Sequence, residues 1–375
     1  MKLEIEKGQL VRGLGRLQAI VEKRSTMPIL ANVLITAIQD KKNKGGLELA
    51  ATDLEIGIRG VLPATITESG SLTVSARKLF DIAKELPEQP VQITTSDSYT
   101  LNITCGRSKF SLAGTDATEY PEIAEIKPAD LATLPAPVLA EMIDKTIYAA
   151  STDESRYNLN GVYLEVDKKE GKIRMVATDG HRLALIEREG LELANKLDKG
   201  VIIPRKGLAE LKRLLDEGNT TELKIGFEGS SVLVKSEEVS LVMRLIEGEF
   251  PNYSQVLPKQ VGSTIIVPTQ EAIRALRRVA LLSAERSRAI KVVLSEGLLT
   301  ITATNPDLGE AQEELDINYD GETIEIGFNA TYVLDALNTT GAKEARLCIS
   351  EANAPAEIGA SEPDGSRAVV MPMRL

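Results

Sequence analysis

The chain repeats one phrase three times: LELAATD at 47–53, IRMVATD at 173–179 and LTITATN at 299–305. The interval between successive copies is 126 residues in both steps. Each copy closes an apolar run, and in the first two copies alternating apolar residues follow, so the phrase indicates a turn between two strands. A fixed period of this kind is typical of a chain built from repeated structural units.

Two stretches with helical spacing accompany each copy of the phrase. The stretches before the copies carry Leu10, Leu14, Leu17 and Val21, then Leu139, Ile143, Ile147 and Ala150, and then Ile273, Leu276 and Ala280. The stretches after them are ARKLFDIAKEL at 76–86, PRKGLAELKRLL at 204–215 and NATYVLDALNTT at 329–340. Both sets place apolar residues on one helical face, while the rest of each repeat alternates as short strands do.

The repeat therefore predicts an α+β fold with three similar domains, each made of two helices packed on antiparallel sheet. Proline-bearing segments at 126–137 and 256–262 separate the repeats. We expect an N-terminal domain at 1–127, a central domain at 136–258 and a C-terminal domain at 262–375. Each of these is close to the usual size of a domain.

Composition excludes several classes of protein. The only cysteines are Cys105 and Cys348 and the only histidine is His181, so a disulfide framework or a thiolate zinc site has almost nothing to be built from. Aromatic residues are 3% of the chain and Trp is absent, which argues against binding single strands by base stacking. With no apolar run of about 20 residues to span a membrane, a cytoplasmic protein is expected.

An acid–base or metal site formed by Asp53, Asp179 and His181 is the strongest enzyme hypothesis. Aspartates at turns explain the first two residues more simply, and Asn305 removes the charge from the third copy. The chain also contains none of the nucleotide-binding, zinc-protease or serine-hydrolase motifs. We therefore expect no catalytic residues, no metal and no cofactor.

Charge is distributed unevenly along the chain. The net charge is −11, yet the six helical stretches at 7–24, 75–86, 138–156, 200–215, 269–288 and 330–340 together carry +8 and the remainder carries −19. Helices that share one face would offer a positive lining to DNA phosphates, and acidic sheets would repel DNA elsewhere. Contacts of that kind hold a duplex without reading its sequence.

The ordered motifs resemble one family, the bacterial DNA polymerase III beta subunit, which is the replicative sliding clamp. The resemblance runs along the whole chain and rests on RSTMPILANVLI, ATDLEIGI, SARKLFDI, SRYNLNGVYLE, VATDGHRLAL, IPRKGLAEL, EGEFPNY, GFNATYVLDAL and VVMPMRL. It implies a head-to-tail dimer that forms a ring around double-stranded DNA, with helices inside and sheets outside. Its partners would be the catalytic subunit of DNA polymerase III, the clamp loader, and other polymerases and repair proteins.

The resemblance also implies a groove that receives short motifs of those partners. Its residues are Arg156, Leu159, Thr178, Gly180, His181, Arg182, Leu183, Pro251, Val256, Tyr332, Val369, Met371, Pro372, Met373 and Arg374. Leu, Val, Met and Pro side chains form an adaptable apolar trough, and Arg and Thr at its rim can hold a peptide backbone. Gln255 stands where many relatives carry Arg beside the groove.

Two further sets of residues follow from the same resemblance. The residues expected to face DNA phosphates are Arg24, Arg77, Tyr157, Arg205, Lys206 and Arg288. The residues expected at the dimer interface are Arg107, Lys109, Phe110 and Leu112 on one side and Leu281, Leu282, Glu310, Glu313 and Glu314 on the other. A basic edge against an acidic edge gives a heterologous contact. The alternative is a triplicated protein-interaction scaffold that does not encircle DNA, which would not need positive helices.

Overall fold

In a computed structural model of the chain, the repeated phrase forms the same turn in its first two copies. The Asp53 carboxylate accepts hydrogen bonds from the amides of Glu55 and Ile56, at 3.0 and 2.6 Å. One period later, the Asp179 carboxylate accepts bonds from the amides two and three residues further on, at 2.9 and 3.0 Å. The third copy keeps part of this turn, since the Asn305 side chain accepts from the amide of Asp307. These carboxylates act as turn formers.

The residue after the aspartate has a positive φ in both turns. It is Gly180 in the second copy, with φ 87°, but Leu54 in the first copy, with φ 77° and an exposed side chain. We expect Leu54→Gly to raise the free energy of unfolding by up to about 1 kcal/mol, because glycine adopts this conformation without strain. The matched exchange Gly180→Ala should lower it by about 1 kcal/mol. Urea unfolding of both variants measures the two changes in the free energy of unfolding. Equal changes of the same sign would contradict the explanation that the two repeats share one turn.

The structure describes residues 1–21, 27–39, 45–96, 98–124, 131–218, 220–258 and 262–374. These form two compact units, Met1–Ala136 with Glu210–Leu245, and Pro137–Ala209 with Ile246–Leu375. The boundary between the units therefore runs through the second repeat.

The described residues of the first unit form one sheet of 13 strands. Its strands are β1 (Lys2–Glu6), β2 (Asn32–Ile38), β3 (Gly46–Thr52), β4 (Ile56–Pro63), β5 (Thr65–Glu68), β6 (Gly70–Ser75), β7 (Pro90–Thr95), β8 (Thr100–Cys105), β9 (Ser108–Thr115), β10 (Ala132–Pro135), β15 (Glu222–Glu228), β16 (Ser231–Lys235) and β17 (Val239–Arg244). Their order is β10-β15-β16-β17-β4-β3-β2-β6-β9-β8-β7-β1-β5. The antiparallel pair β17–β4, with Leu241 opposite Ile58, joins the second repeat to the first.

In the second unit, the part of the chain that the structure describes forms a sheet of eight strands and a sheet of four. Its strands are β11 (Gly161–Asp167), β12 (Lys172–Thr178), β13 (Arg182–Glu189), β14 (Val201–Pro204), β18 (Ser263–Pro268), β19 (Ala289–Ser295), β20 (Leu298–Asn305), β21 (Gly309–Asp316), β22 (Ile324–Asn329), β23 (Glu344–Ile349), β24 (Ala356–Ala360) and β25 (Ser366–Val370). The orders are β14-β11-β12-β13-β25-β24-β23-β18 and β21-β20-β19-β22. The pair β13–β25 joins the third repeat to the second, in the same way as β4–β17.

Two main helices accompany each repeat, as predicted. The helices are α1 (Lys7–Leu17), α2 (Ala76–Glu85), α3 (Ala136–Asp144), the short α4 (Leu191–Ala194), α5 (Arg205–Glu217), α6 (Thr269–Ala280) and α7 (Ala330–Thr339). They bury an apolar face on the sheets. In α6, for example, Ile273, Leu276 and Val279 are each at most 3% exposed within the core of the third repeat.

Several helices are shorter than the stretches used for the charge tally. After α3 the Thr146 hydroxyl donates to the Met142 carbonyl at 2.7 Å, and after α6 the Ser283 hydroxyl donates to the Ala280 carbonyl at 2.8 Å. Such side-chain bonds compete with helix propagation. The seven described helices carry +3 rather than +8, so the prediction placed too much of the positive charge on helices. Arg288 lies in the loop beyond α6.

Candidate partner-binding site

An apolar cluster lies on β12, β13 and β25 in the second unit. Its buried members are Val176, Leu183, Leu185 and Val369, each at most 4% exposed. The partly buried residues Tyr163, Phe250, Tyr253, Val256 and Leu257 pack against them. Three residues predicted to line the groove therefore lie in one cluster, namely Leu183, Val256 and Val369.

The last described residues of the chain begin beside the turn between β12 and β13. The amide of Met371 donates to the carbonyl of His181 at 2.9 Å, and the amide of Met373 donates to Gly327 at 2.8 Å. Met371, Pro372 and Met373 are half-buried, and Arg374 is exposed. This tail places Met371 next to the Thr178–Arg182 turn and Met373 next to β22, and methionine side chains adapt their shape to a ligand.

Arg182 is held from several sides. Its guanidinium forms ion pairs with Asp179 at 3.1 Å and with Asp335 of α7. It also lies 4.6 Å from the centre of the Tyr332 ring and 5.4 Å from that of Tyr148, which are cation–π distances. The group is thereby fixed in one orientation as a polar element. The sequence reasoning did not select Asp335 or Tyr148 for the site.

The remaining predicted groove residues lie around the same turn. The Arg156 guanidinium donates to the carbonyl of Asp179 at 3.2 Å. The Thr178 hydroxyl donates to the Arg182 carbonyl at 2.7 Å and accepts from the amide of Gly180 at 3.1 Å. The His181 ring is stacked with that of Tyr332, with 6.2 Å between ring centres. Leu159 is buried, and Pro251 is exposed on the segment that carries Val256.

A polar network that the sequence reasoning missed holds this segment. Arg174 of β12 stands opposite Glu165 of β11 and Glu187 of β13, and it donates to both carboxylates at 2.6 Å. The same guanidinium donates to the Tyr253 hydroxyl at 2.9 Å, while that hydroxyl donates to Glu165. Burial and the bond to Glu165 raise the pKa of Tyr253 to about 12, so the phenol keeps its proton at neutral pH.

A further ion pair in this unit joins the residue after α3 to the β24–β25 turn. The Lys145 ammonium pairs with the Asp364 carboxylate. Burial alone would raise the pKa of Asp364, but Lys145 and two bonds from Ser366 outweigh it and hold that pKa below its ordinary value of 3.8. Stability from this group is therefore present above pH 3.8 and is lost as the pH falls through the lowered pKa.

We expect Asp364→Asn to lower the free energy of unfolding by about 1 to 3 kcal/mol at pH 7, because the part-buried Lys145 loses its carboxylate partner. The difference from the unsubstituted protein should shrink as the pH falls below about 4, because the unfolded chain takes up the proton first and the folded chain does so only below its lowered pKa. Thermal unfolding midpoints between pH 3 and 7 measure this. Asp198→Asn, which removes a pair whose carboxylate is 92% exposed, is the control and should have no comparable effect.

The residues predicted to face DNA lie mostly at helix starts or in loops. Arg77 is the second residue of α2, and Arg205 and Lys206 are the first two of α5, where helix amides also attract phosphate. Tyr157 is 57% exposed, and Arg288 has φ 47°. Arg24 lies outside the described residues. These placements leave the DNA assignment a prediction.

The residues predicted at the dimer interface lie on two sheet edges. Only the end of β9 pairs with β6, at Gly114 and Thr115, so the described strand is open on one side from Ser108 to Ala113. β21 is the edge strand of its sheet and pairs with β20. Phe110 is 39% exposed on β9, and Leu281 after α6 is 76% exposed. Within the chain, Glu313 accepts hydrogen bonds from Nε and Nη2 of Arg278, at 2.6 and 2.7 Å.

Within the described part of the chain, no group of three or more His, Cys, Asp or Glu side chains could hold a metal ion. No described helix is long and apolar enough to cross a membrane. Cys105 and Cys348 are both buried free thiols.

Comparison with known proteins gives three adjacent family matches. Residues 1–124 match the N-terminal domain of the DNA polymerase III beta subunit, residues 133–252 its central domain and residues 254–374 its C-terminal domain. The beta sliding clamps of Pseudomonas aeruginosa and Vibrio cholerae are each 36% identical to the chain, and each comparison covers 100% of both proteins.

Solved structures give the same result. The crystal structure of the DNA polymerase III subunit beta from Pseudomonas aeruginosa is 37% identical, with a TM-score of 0.92 and full coverage of both chains. A sliding clamp from Bartonella birtlesii bound to griselimycin is 34% identical, with a TM-score of 0.94 and the same coverage.

Proposed function

Because the chain belongs to the family of the DNA polymerase III beta subunit, we propose that it works as a sliding clamp, a processivity factor that encircles double-stranded DNA. It has no catalytic activity of its own, and it tethers the replicative polymerase and other replication and repair proteins. We propose the three repeats at 1–127, 136–258 and 262–375 as its domains and the cytoplasm as its location. The scaffold that does not encircle DNA is not favoured.

One observation supports the ring above all others. In each compact unit, the strand after the repeated turn pairs with the last strand of the following repeat, β4 with β17 and β13 with β25. β21 is the third strand of this kind, and β9 is the last strand of the first repeat. Both have an open edge in the described chain. The same antiparallel pairing between β21 of one copy and β9 of another continues the pattern, and repeating it closes a ring.

Charge complements this pairing. Arg107 and Lys109 lie on or beside β9, and Glu310 and Glu314 lie on β21. Glu313 is already paired with Arg278 in the same chain. The ion pairs to the basic edge of the other copy would therefore be made by Glu310 and Glu314. Phe110 and Leu112 with Leu281 and Leu282 supply the apolar part of the contact. We propose these residues as the dimer interface.

For the partner groove, we propose the surface formed by the apolar cluster, the Thr178–Arg182 turn and the tail from Met371 to Arg374. An apolar floor with two methionines suits an apolar anchor residue of a partner motif, while fixed Arg182 and exposed Arg156 can hold its polar groups. We also propose that the chain binds griselimycin here, because relatives of 34% and 36% identity do bind it.

Arg24, Arg77, Tyr157, Arg205, Lys206 and Arg288 remain our proposal for DNA contacts. Such contacts can be weak, because a ring cannot leave a closed circle of DNA even when its surface holds the duplex loosely. An acidic chain with a net charge of −11 can serve DNA in this way.

Retention on DNA tests the proposed function. The protein is loaded by its clamp loader and ATP onto nicked circular DNA, and the bound fraction is followed before and after one cut linearises the circle. We expect retention on the circle and rapid loss after the cut. Equal retention on both forms would mean ordinary surface binding and would rule out encirclement.

A further inference from the structure

One residue of the central repeat, Arg174, differs in charge from its counterparts in the other two repeats. Its guanidinium bonds to Tyr253, which packs on the apolar cluster of the proposed groove. At the second position of the repeated phrase the chain has Glu48, Arg174 and Thr300 in turn. The turns and the core positions of the phrase are shared among the copies. The cation at 174 is therefore a feature of one repeat, and the fold common to all three does not require it.

Arg174 organises a row of charges across three neighbouring strands. It pairs with Glu165 on one side and Glu187 on the other, and all three side chains are between 26% and 31% exposed. Two carboxylates already balance the charge of Arg174. Its further hydrogen bond to a third side chain is therefore not needed for charge balance. That third side chain is Tyr253, which lies 79 residues away in sequence.

Tyr253 begins a short turn, Tyr253–Gln255, that leads into Val256. The amide of Val256 donates to the Tyr253 carbonyl at 3.0 Å, so the position of the tyrosine sets that of the valine. Both side chains pack on the cluster that contains Leu183 and Val369. The segment lacks strand pairing in the described structure, and the Tyr253 hydroxyl is its polar attachment to the sheet.

We infer that Arg174, together with Glu165, is a positioning residue of the partner groove, which acts through the Tyr253 hydroxyl to hold the wall that carries Val256. The inference rests on the proposed groove. Holding the wall in its binding geometry before a partner arrives reduces the ordering that binding must impose. Loss of the attachment should therefore mainly speed the dissociation of a bound partner.

The test uses griselimycin and the full-length protein. Tyr253→Phe removes the hydroxyl and keeps the ring, and we expect it to weaken griselimycin binding about 10-fold, mainly through faster dissociation. Arg174→Gln should have a similar effect, and the double variant should be no worse than the stronger single variant, because both remove one attachment. Amides of residues 253–257 should exchange hydrogen faster in each variant. Tyr253→Phe serves alone if Arg174→Gln fails to fold.

Tyr319→Phe is the matched control. Tyr319 is a buried tyrosine of the third repeat whose hydroxyl also donates a hydrogen bond, to the carbonyl of Glu322, and it belongs neither to the apolar cluster nor to the Arg174 network. It should leave both griselimycin dissociation and amide exchange at 253–257 unchanged. If Tyr253 had a purely structural role, Tyr253→Phe would lower the unfolding midpoint, and its effect on griselimycin binding would be independent of Arg174. Additive effects of Tyr253→Phe and Arg174→Gln on the dissociation rate would therefore overturn the inference.

Deleting residues 371–375 distinguishes a wrong groove assignment from a wrong role for Arg174. If a variant without residues 371–375 binds griselimycin as well as the intact chain, the groove assignment itself is wrong. If that variant loses binding but Tyr253→Phe binds with unchanged affinity and dissociation rate, the groove stands and the positioning role of Arg174 is refuted.

Discussion

Removing residues 371–375 is expected to abolish stimulation of DNA polymerase III and to weaken griselimycin binding by about 100-fold or more. The deletion takes away Met371, which lies beside the turn that carries Arg182, together with Met373 and exposed Arg374. A few central apolar contacts usually dominate a peptide interface, so their loss is not made up by the rest of the groove. Primer extension on loaded circles and calorimetric titration with griselimycin measure the two effects.

The deletion should leave the ring itself intact. The removed segment lies beyond β25, the strand that pairs with β13, and the proposed interface strands β9 and β21 are untouched. Sedimentation should therefore give the same dimer, and retention on circular DNA should match that of the unaltered protein. Normal polymerase stimulation by the shortened protein would exclude the proposed groove.

Leu281→Asp is expected to convert the dimer into monomers and to remove retention on circular DNA. Leu281 is 76% exposed in the single chain, so the substitution should barely change the stability of the fold. In the proposed interface the same position is covered by the partner copy, where an unpaired carboxylate is costly. We expect the dimer dissociation constant to rise by at least about 100-fold. Sedimentation across a concentration series measures it.

Ile266→Asp is the control for that substitution. Ile266 is another exposed apolar residue of the third repeat, 39% exposed on β18, and it lies outside the proposed interface. It should leave the dimer unchanged. Griselimycin binding should persist in Leu281→Asp, because the groove lies within one compact unit of one chain. A Leu281→Asp protein that still forms dimers would contradict the proposed edge pairing.

Local features of the fold could be predicted from the sequence. The turn at Asp53 and Asp179 depends on hydrogen bonds within three residues. The predicted stretch at 76–86 agrees with α2 because Ser75 caps that helix from the preceding position. The end of α3 was missed because Thr146 bonds back to a carbonyl, which helical spacing of apolar residues does not reveal.

The parts of the site that the sequence did not predict depend on distant contacts. Arg182 was placed by the resemblance, but its partner Asp335 lies 153 residues further on. The Arg174–Tyr253 bond likewise joins strands to a segment far along the chain. Neither pairing leaves a periodic signal, because an ion pair constrains two positions in space and says nothing about the residues between them.

The pairing of β4 with β17 also has a consequence for the newborn chain. The first compact unit needs residues up to Leu245, so about two thirds of the polypeptide must leave the ribosome before that unit can be completed. At roughly 5 to 20 residues per second, this leaves the edge of β4 uncovered for seconds during translation. The sequence repeats with a period of 126 residues, but cotranslational folding of the first unit has to wait for a longer stretch. A chaperone therefore has most to protect while the first repeat has emerged and β17 has not.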